Sequence, residues 1–243
     1  TTEIYTLSLH DALPILVADL LRCPIVGQVI VTHNIPGLIT LPNDPRVFEI
    51  ANRRPAGFAA NHNAAFKHCT QPYFCSLNPD ISLPIDPFPP LLASIQETGA
   101  AIAAPLVLDP SGQIDDSVRN FPTIRSLLSK AMGKPCDACK VNRMQPYLYP
   151  DWVAGMFMLF RSDAFRRLQG FDKRFFLYYE DVDICARAWK AGLKVVVCPR
   201  VSVVHDAQRA SHRNFRYMRW HLASMARYFC KHWGRLPVLP TQQ

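Results

Sequence analysis

An α/β domain built on a mostly parallel sheet is the fold this sequence predicts. Three observations predict it. Short apolar runs of strand type alternate with helical patterns along the chain. Several of those runs end abruptly in a polar residue, as strands do where ligands bind at the carboxyl edge of a sheet. The composition, 49% hydrophobic and 19% charged over 243 residues, is that of a globular chain with a full core.

The elements follow in order. Val29-Ile-Val-Thr32 is a buried-strand pattern closed by His33-Asn-Ile-Pro36, and Arg46 to Ile50 is a second strand. Asn52 to Asn63 leads into a helix ending near Cys69, with Gly57 at the turn. Glycine allows a tight strand-to-helix turn there, and the helix start can face a phosphate. Tyr73-Phe-Cys-Ser-Leu77 is a third strand, closing on Asn78-Pro-Asp80. Leu91 to Thr98 reads as a helix and Ala101 to Pro105 as a fourth strand. Leu108 to Tyr149 is rich in proline, glycine and polar residues and reads as an insertion over the site. It carries Arg119-Asn-Phe-Pro122. Asp151-Trp-Val-Ala-Gly155 leads the apolar strand Met156 to Phe160. Leu193 to Cys198 and Val201 to Val204 are further strands, the latter ending at His205. The last segment is helical, and its face of Phe215, Met218, Leu222, Met225 and Phe229 is expected to pack on the domain with the arginines outward.

The densest chemistry lies in Phe175-Phe-Leu-Tyr-Tyr-Glu-Asp-Val-Asp183. Val182, Cys185, Ala186 and Trp189 fall on one helical face after it, and Gly192 marks the stop. Glu180, Asp181 and Asp183 therefore stand at a helix start, where negative charge is favoured. One carboxylate suffices for a cap. A second one beside an aromatic wall is a way to tune a general base.

Composition excludes several classes. No uninterrupted apolar run reaches the ~18 residues a membrane-spanning helix needs. The eight cysteines are scattered, which fits a reducing compartment better than a disulfide framework. Cys136-Asp-Ala-Cys139 has metal or redox spacing but no second such pair. The net charge of +8 is uneven: 207–243 holds seven Lys or Arg and no Asp or Glu. Such a tail serves nucleic acid, an anionic membrane face, or only solubility. Its aromatics fall on a core-like stripe instead of interleaving with the basic residues, which argues against nucleic acid.

Three polar points close strands or open a helix: Asp80, Glu180-Asp181 and His205. Asp80 alone reads as a turn former and His205 as a satisfied strand-end histidine. Together, carboxylate and imidazole suit Mg²⁺ or Mn²⁺ with bound phosphate oxygens. A glycosidase needs the two carboxylates but has no use for Asn78-Pro-Asp80 or His205.

Asn61-His-Asn63 after Gly57-Phe58, Leu77-Asn-Pro-Asp80, Trp152 to Gly155, Gly170-Phe-Asp172, Phe175 to Asp183, Ala191-Gly192 and Val203-Val-His205 form an ordered set. As a set they resemble family 2 glycosyltransferases, in their rhamnosyltransferase-like branch. The match runs from about Leu20 to Trp233. The resemblance implies a GT-A fold, a nucleotide-diphospho-sugar donor (dTDP-rhamnose for this branch), a divalent metal and inversion at the anomeric carbon. It implies Asp181 as the catalytic base with Glu180 beside it, and Asp80 and His205 as metal ligands. Asn34, Gly57, Asn63, Asn78 and Asp80 would hold the nucleotide-sugar, and Trp152 and Gly155 would face the acceptor. A surface polysaccharide or lipid-linked glycan would be that acceptor. The site would be cytoplasmic, with peripheral contact at the inner membrane face through a basic helix over 213–233.

Two departures stand out. His33 stands where the family usually carries an Asp that contacts the base. Glu3 to Ile15 is similar to one reading frame of a common short-read sequencing adapter, so 1–15 is set apart from a domain over 16–243. The family's first strand would then precede Leu16.

Overall fold

The computed structural model describes residues 4–34, 39–132, 141–206 and 215–237. The Cys136 and Cys139 pair lies outside them, as does Arg213. The chain opens with helix α1, Ile4–Arg22. Residues 4–15 are thus helical and form no strand. Farther along α1, Leu16, Val17 and Leu20 are buried.

Strands β1 (Val29–His33) and β2 (Val47–Ala51) pair in parallel. Helix α2 (Phe58–Phe66) follows, then β3 (Tyr73–Leu77), the two-residue β4 (Ile81–Ser82) and α3 (Phe88–Thr98). Next come β5 (Ile102–Leu108), β6 (Val118–Arg119), α4 (Ile124–Ala131), β7 (Trp152–Val153) and β8 (Phe157–Arg161). The chain continues through α5 (Ser162–Arg167), α6 (Glu180–Lys190), β9 (Val195–His205) and α7 (Phe215–His232).

The main sheet has the order β3-β8-β5-β9-β4. It is mixed, not mostly parallel: β5 runs parallel to β9, while β8 is antiparallel to β3 and β5, and β4 antiparallel to β9. The connections explain this. β8 follows the long excursion that leaves the carboxyl end of β5, and β4 starts directly after Asp80 at the end of β3. β4 has no helix before it, and the excursion before β8, though it carries α4, brings the chain back to the carboxyl end of β5, so each runs back along the sheet as an antiparallel strand. The expected pair of late strands is one strand, β9, whose register against β5 shifts between Pro105 and Leu106. Such a shift absorbs extra residues without ending the strand.

Among the described residues β1 pairs only with β2, and β3 only with β8. Strand pairing among the described residues therefore falls into three groups: β1–β2, the five-stranded sheet and β6–β7. Two apolar clusters fill the space about them. One, with Phe160, Phe165, Phe171 and Phe175, supports α6. The other, with Leu91, Leu159 and Val203, lies under α1 and α3.

Helix α7 departs from expectation. Phe215, Met218 and Leu222 are 79%, 51% and 52% exposed. Only Met225 and Phe229 of the expected face pack against the core. The helix turns Ser224, Tyr228 and His232 inward instead. The Leu177 carbonyl and the buried Asp183 carboxylate hold Ser224 and His232, while Tyr228 packs its ring in the apolar core with its hydroxyl unpaired.

Candidate active site

The acid end of the site is built at the start of α6. Tyr178 and Tyr179 both adopt left-handed backbone, φ 68° and 67°. This is costly for residues with side chains and persists only where surroundings enforce it. Here the pair swings the chain so that α6 begins against the β7–β8 turn. Trp189 fixes the far end of the helix, its indole N–H donating to the carbonyls of Pro150 and Asp151. Asp181 then meets Gly155: the Gly155 N–H donates to Asp181 Oδ2 at 2.9 Å, and the Val182 N–H to Oδ1 at 2.8 Å.

Burial raises Asp181 above the ordinary carboxylate range, while these two N–H groups and the charge of Arg119 pull the other way. Glu180 is pushed much further up, first by burial and then by the charge of Asp181. Glu180 is buried and its Oε2 has no hydrogen-bond partner, whereas Asp181 retains some exposure. Burial thus disfavours charge on both carboxyls, and the charge of Asp181 adds to that on Glu180.

The second end lies where β4 pairs with the tip of β9. Ile81 stands opposite His205, and the Asp206 N–H donates to the Asp80 carbonyl. Asp80 and His205 are brought together, with Asp80 Oδ1 3.4 Å from His205 Nε2. Asp80 Oδ1 is nevertheless buried with no hydrogen-bond partner. The other imidazole nitrogen, Nδ1, is 3.2 Å from Asp115 Oδ2. Burial lowers the His205 pKa, but the carboxylates of Asp80 and Asp115 outweigh it and raise it overall. An orphaned carboxylate oxygen facing an imidazole whose far nitrogen is held by a carboxylate suits a divalent cation. Among the described residues no set of three His, Cys, Asp or Glu could hold a metal. Two protein ligands plus substrate phosphates is a usual arrangement for Mg²⁺.

Two short segments join these ends. Gly155 holds Asp181, and the next residue, Met156, accepts the Asn78 N–H at 3.0 Å. Asp115 touches His205, and four residues on, Arg119 lies with its guanidinium 5.5 Å from the Trp152 ring centre. Arg119 also pairs with Asp116 at 2.7 Å. Asp115 and Arg119 are functional candidates that sequence reasoning missed. Their signal was present: both lie in the segment read as an insertion over the site.

Several expected binding residues are committed elsewhere. Asn63 clamps the backbone of Phe171, donating to its carbonyl at 2.7 Å and accepting its N–H at 2.9 Å. It cannot also line a nucleotide with those atoms. Gly57 has ordinary extended backbone, so no unusual turn requires it. A Cβ there would sit 2.2 Å from the Phe176 carbonyl oxygen, and the Phe58 N–H already donates to that oxygen. The start of α2 therefore receives a loop instead of a phosphate. Trp152 is buried, its N–H donates to the Asn120 carbonyl, and Arg119 covers its ring. Asn34 exchanges hydrogen bonds with both backbone groups of Ala56 and accepts one from Asn52. His33 pairs with Glu49 at 2.6 Å.

Known proteins carry the same pattern. The model of "Glycosyl transferase family 2" matches residues 34–167, more than half of the chain. The chain belongs to this family. A second model, "Glycosyl transferase family group 2", matches residues 122–232. The rhamnosyltransferase WbbL of Escherichia coli K12 is 31% identical to this glycosyltransferase over 72% of the chain and 70% of its own length. The N-acetylglucosaminyl-diphospho-decaprenol L-rhamnosyltransferase of Mycobacterium tuberculosis is 34% identical over 47% of the chain, which spans 40% of that relative. The fold is that of solved GT-A enzymes. A mannosyltransferase of Pyrobaculum calidifontis, solved with GDP-Man and Mn²⁺, superposes with a TM-score of 0.59 at 13% identity, over 95% of this chain and 62% of that one. GalNAc-T7, solved with UDP, GalNAc and Mn²⁺, gives 0.56 at 14% identity, over 75% and 38%. Membership makes the chain a transferase and sets aside the glycosidase and the non-catalytic binding module.

Proposed function

We propose that this glycosyltransferase moves a sugar, rhamnose in the first instance, from a nucleotide-diphospho-sugar to a hydroxyl of a polysaccharide or lipid-linked glycan, with inversion. The rhamnosyltransferase names of its relatives support the sugar, and the decaprenol in one of those names supports a lipid-linked acceptor. Residues 16–243 act as a single GT-A domain in this reading, at the cytoplasmic face of a membrane. Among the described residues no helix is long and apolar enough to cross one.

The observation that carries the reading is the unequal acid pair. Whereas Glu180 is buried, Asp181 is held by the N–H groups of Gly155 and Val182 and is partly open to solvent. It accepts the proton of the acceptor hydroxyl as that oxygen bonds to the anomeric carbon and the bond to the diphosphate breaks. Burial raises its pKa, which strengthens it as a base. Burial and the charge of Asp181 disfavour a second negative charge, on Glu180, beside the anionic donor. Asp80 and His205 would hold Mg²⁺ or Mn²⁺, which supplies charge neutralisation at the diphosphate. Asp115 fixes the His205 ring, and Asn78 sets the turn that presents Asp80.

The test is a donor screen across sugar nucleotides with Mg²⁺, Mn²⁺ or chelator, reading released nucleotide diphosphate and product anomer. Turnover of dTDP-rhamnose that chelator abolishes is the expected result. Metal-independent turnover, or a retained anomer, overturns the corresponding part.

A further inference from the structure

The aromatic rings that precede the acid pair in the chain are taken up by α7. Phe175 lies under Arg227 and Lys231, 5.9 and 5.7 Å from its ring centre. Phe176 stacks on Trp220 at 4.7 Å, and Tyr179 lies 5.4 Å from Tyr228. A ring that meets Asp181 comes instead from the first residue of α2. A Cβ on Gly155 would lie 3.4 Å from Phe58 Cζ and 3.5 Å from Asp181 Oδ2. The tip of the Phe58 ring and the Asp181 carboxylate therefore flank the same point.

Phe58 is held in that direction. Its N–H donates to the Phe176 carbonyl at 3.0 Å, its ring packs 4.2 Å from His62, and it meets Phe171 edge-on at 5.6 Å. Asn63 clamps Phe171 in turn. Burial pushes the His62 imidazole down to about 4, so the ring behind Phe58 is uncharged at neutral pH. The titratable groups that act on Asp181 or feel its charge lie elsewhere: Tyr179, Glu180 and Cys185 beside it in the chain, and Arg119 on β6. α2 turns an apolar ring to the carboxylate.

We propose that Phe58 is a positioning residue for sugar transfer: its ring closes the α2 side of Asp181 to water and leaves the exposed side of the carboxylate to the acceptor hydroxyl. A carboxylate offers about four lone-pair sites. The N–H groups of Gly155 and Val182 take one on each oxygen. Water on the remaining sites would compete with the acceptor and weaken the base, and an apolar ring excludes it. The inference rests on Asp181 as the base of the proposed function and adds a residue which that reading does not use.

The experiment follows the Asp181 carboxyl through pH by ¹³C NMR of the full chain labelled at aspartate, its signal assigned by loss in Asp181→Asn. Phe58→Ala admits water and should lower the midpoint by about one pH unit, and the acid limb of the kcat profile should move down with it. Phe58→Leu keeps an apolar cover and should give less than half that shift. Phe66→Ala is the control: its ring packs on Phe74 and Phe165, in the same helix, and its loss should lower the melting temperature with the midpoint unmoved. Phe58→Tyr keeps the ring and sets a hydroxyl at its tip, which should donate to the carboxylate and lower the midpoint too. An unmoved midpoint in Phe58→Ala overturns the proposal, as does an equal shift in Phe66→Ala. Should Phe58→Ala not fold, an unmoved midpoint in Phe58→Tyr overturns it. Turnover of dTDP-rhamnose is measured in parallel. Turnover with an unmoved midpoint sinks this inference alone, and a moved midpoint in a chain that turns over no sugar nucleotide sinks the transferase reading on which it rests.

Discussion

Helix α6 begins with two carboxylates and carries a third two residues later, and their fates differ. Asp183 is completely buried, yet it is held below the ordinary carboxylate range. Burial works against it, and His232, Arg187 and Lys231 overcome that. Glu180 and Asp181 lie within the same turn and receive no cation at hydrogen-bonding distance. Their values rise, and only backbone N–H groups and the more distant charge of Arg119 restrain Asp181. The sequence Glu-Asp-Val-Asp thus contains a reactive pair and a structural anchor. What separates them is α7, whose Lys231 and His232 reach one carboxylate and not the others. Compensated charge holds helices together, and charge left uncompensated is available for proton transfer.

The sharpest way to break this contrast is Asp181→Asn. It keeps the hydrogen-bonding shape but cannot take a proton, so kcat should fall about 10²–10⁴-fold while donor affinity by calorimetry holds. Glu180→Gln should keep kcat within about tenfold, because Glu180 is buried and Asp181 is the carboxyl partly open to solvent. If the two variants exchange these outcomes, the base is Glu180.

Asp183→Asn tests the anchor. It leaves Lys231, Arg187 and His232 around an amide, and losing one partner of a buried ion pair costs about 3–5 kcal/mol. Urea unfolding should show that loss, with kcat per folded molecule nearly unchanged. A collapse of kcat at full stability would mean Asp183 belongs to the chemistry.

Stability against pH should show opposite slopes at the two sites. Asp183 has a depressed folded value, so its contribution is in place above the ordinary ~3.9 and is lost as pH falls through the lower folded value. Asp183→Asn should flatten that acid loss. Glu180 has a raised value, so its stabilising effect is present below ~4.3 and is lost as pH rises through the folded value. Glu180→Gln should therefore be more stable than wild type on the alkaline side. Parallel slopes in both variants would end the comparison.

The smallest effect belongs to Arg119. Its charge lowers the Asp181 pKa, so Arg119→Gln should move the acid limb of the kcat profile to higher pH. An unmoved limb would place Arg119 outside the field of the base.

Much of this was legible in the sequence. β1, β3 and β8 are apolar runs with polar ends, and the start of α6 carries its own acid signature. Asp80 and His205 close adjacent strand ends, as their strand-terminal positions indicated. The pairing directions were not legible, because they depend on which connections lack a crossover. β4, β6 and β7 are two residues each, too short for any periodicity. Side-chain commitments were hidden by distance along the chain. Asn63 is spent on a residue 108 positions away, and Gly57 is required by the backbone of Phe176. Local pattern favoured a ligand in both places. Of the α7 stripe only Met225 and Phe229 face the core, because Ser224 and His232 take inward places where the Leu177 carbonyl and Asp183 give them partners.

The divided sheet bears on how the molecule opens. The β1–β2 ribbon shares no strand pairing with the five-stranded sheet among the described residues, so its amides are not part of the same cooperative ladder. Local opening free energies follow such divisions. Hydrogen exchange would then proceed in two stages, with the ribbon losing protection first while β5 and β9 remain closed. The five-stranded sheet, whose strand ends carry Asp80 and His205, would be the late-opening unit, and the ribbon that ends at Asn34 the early one.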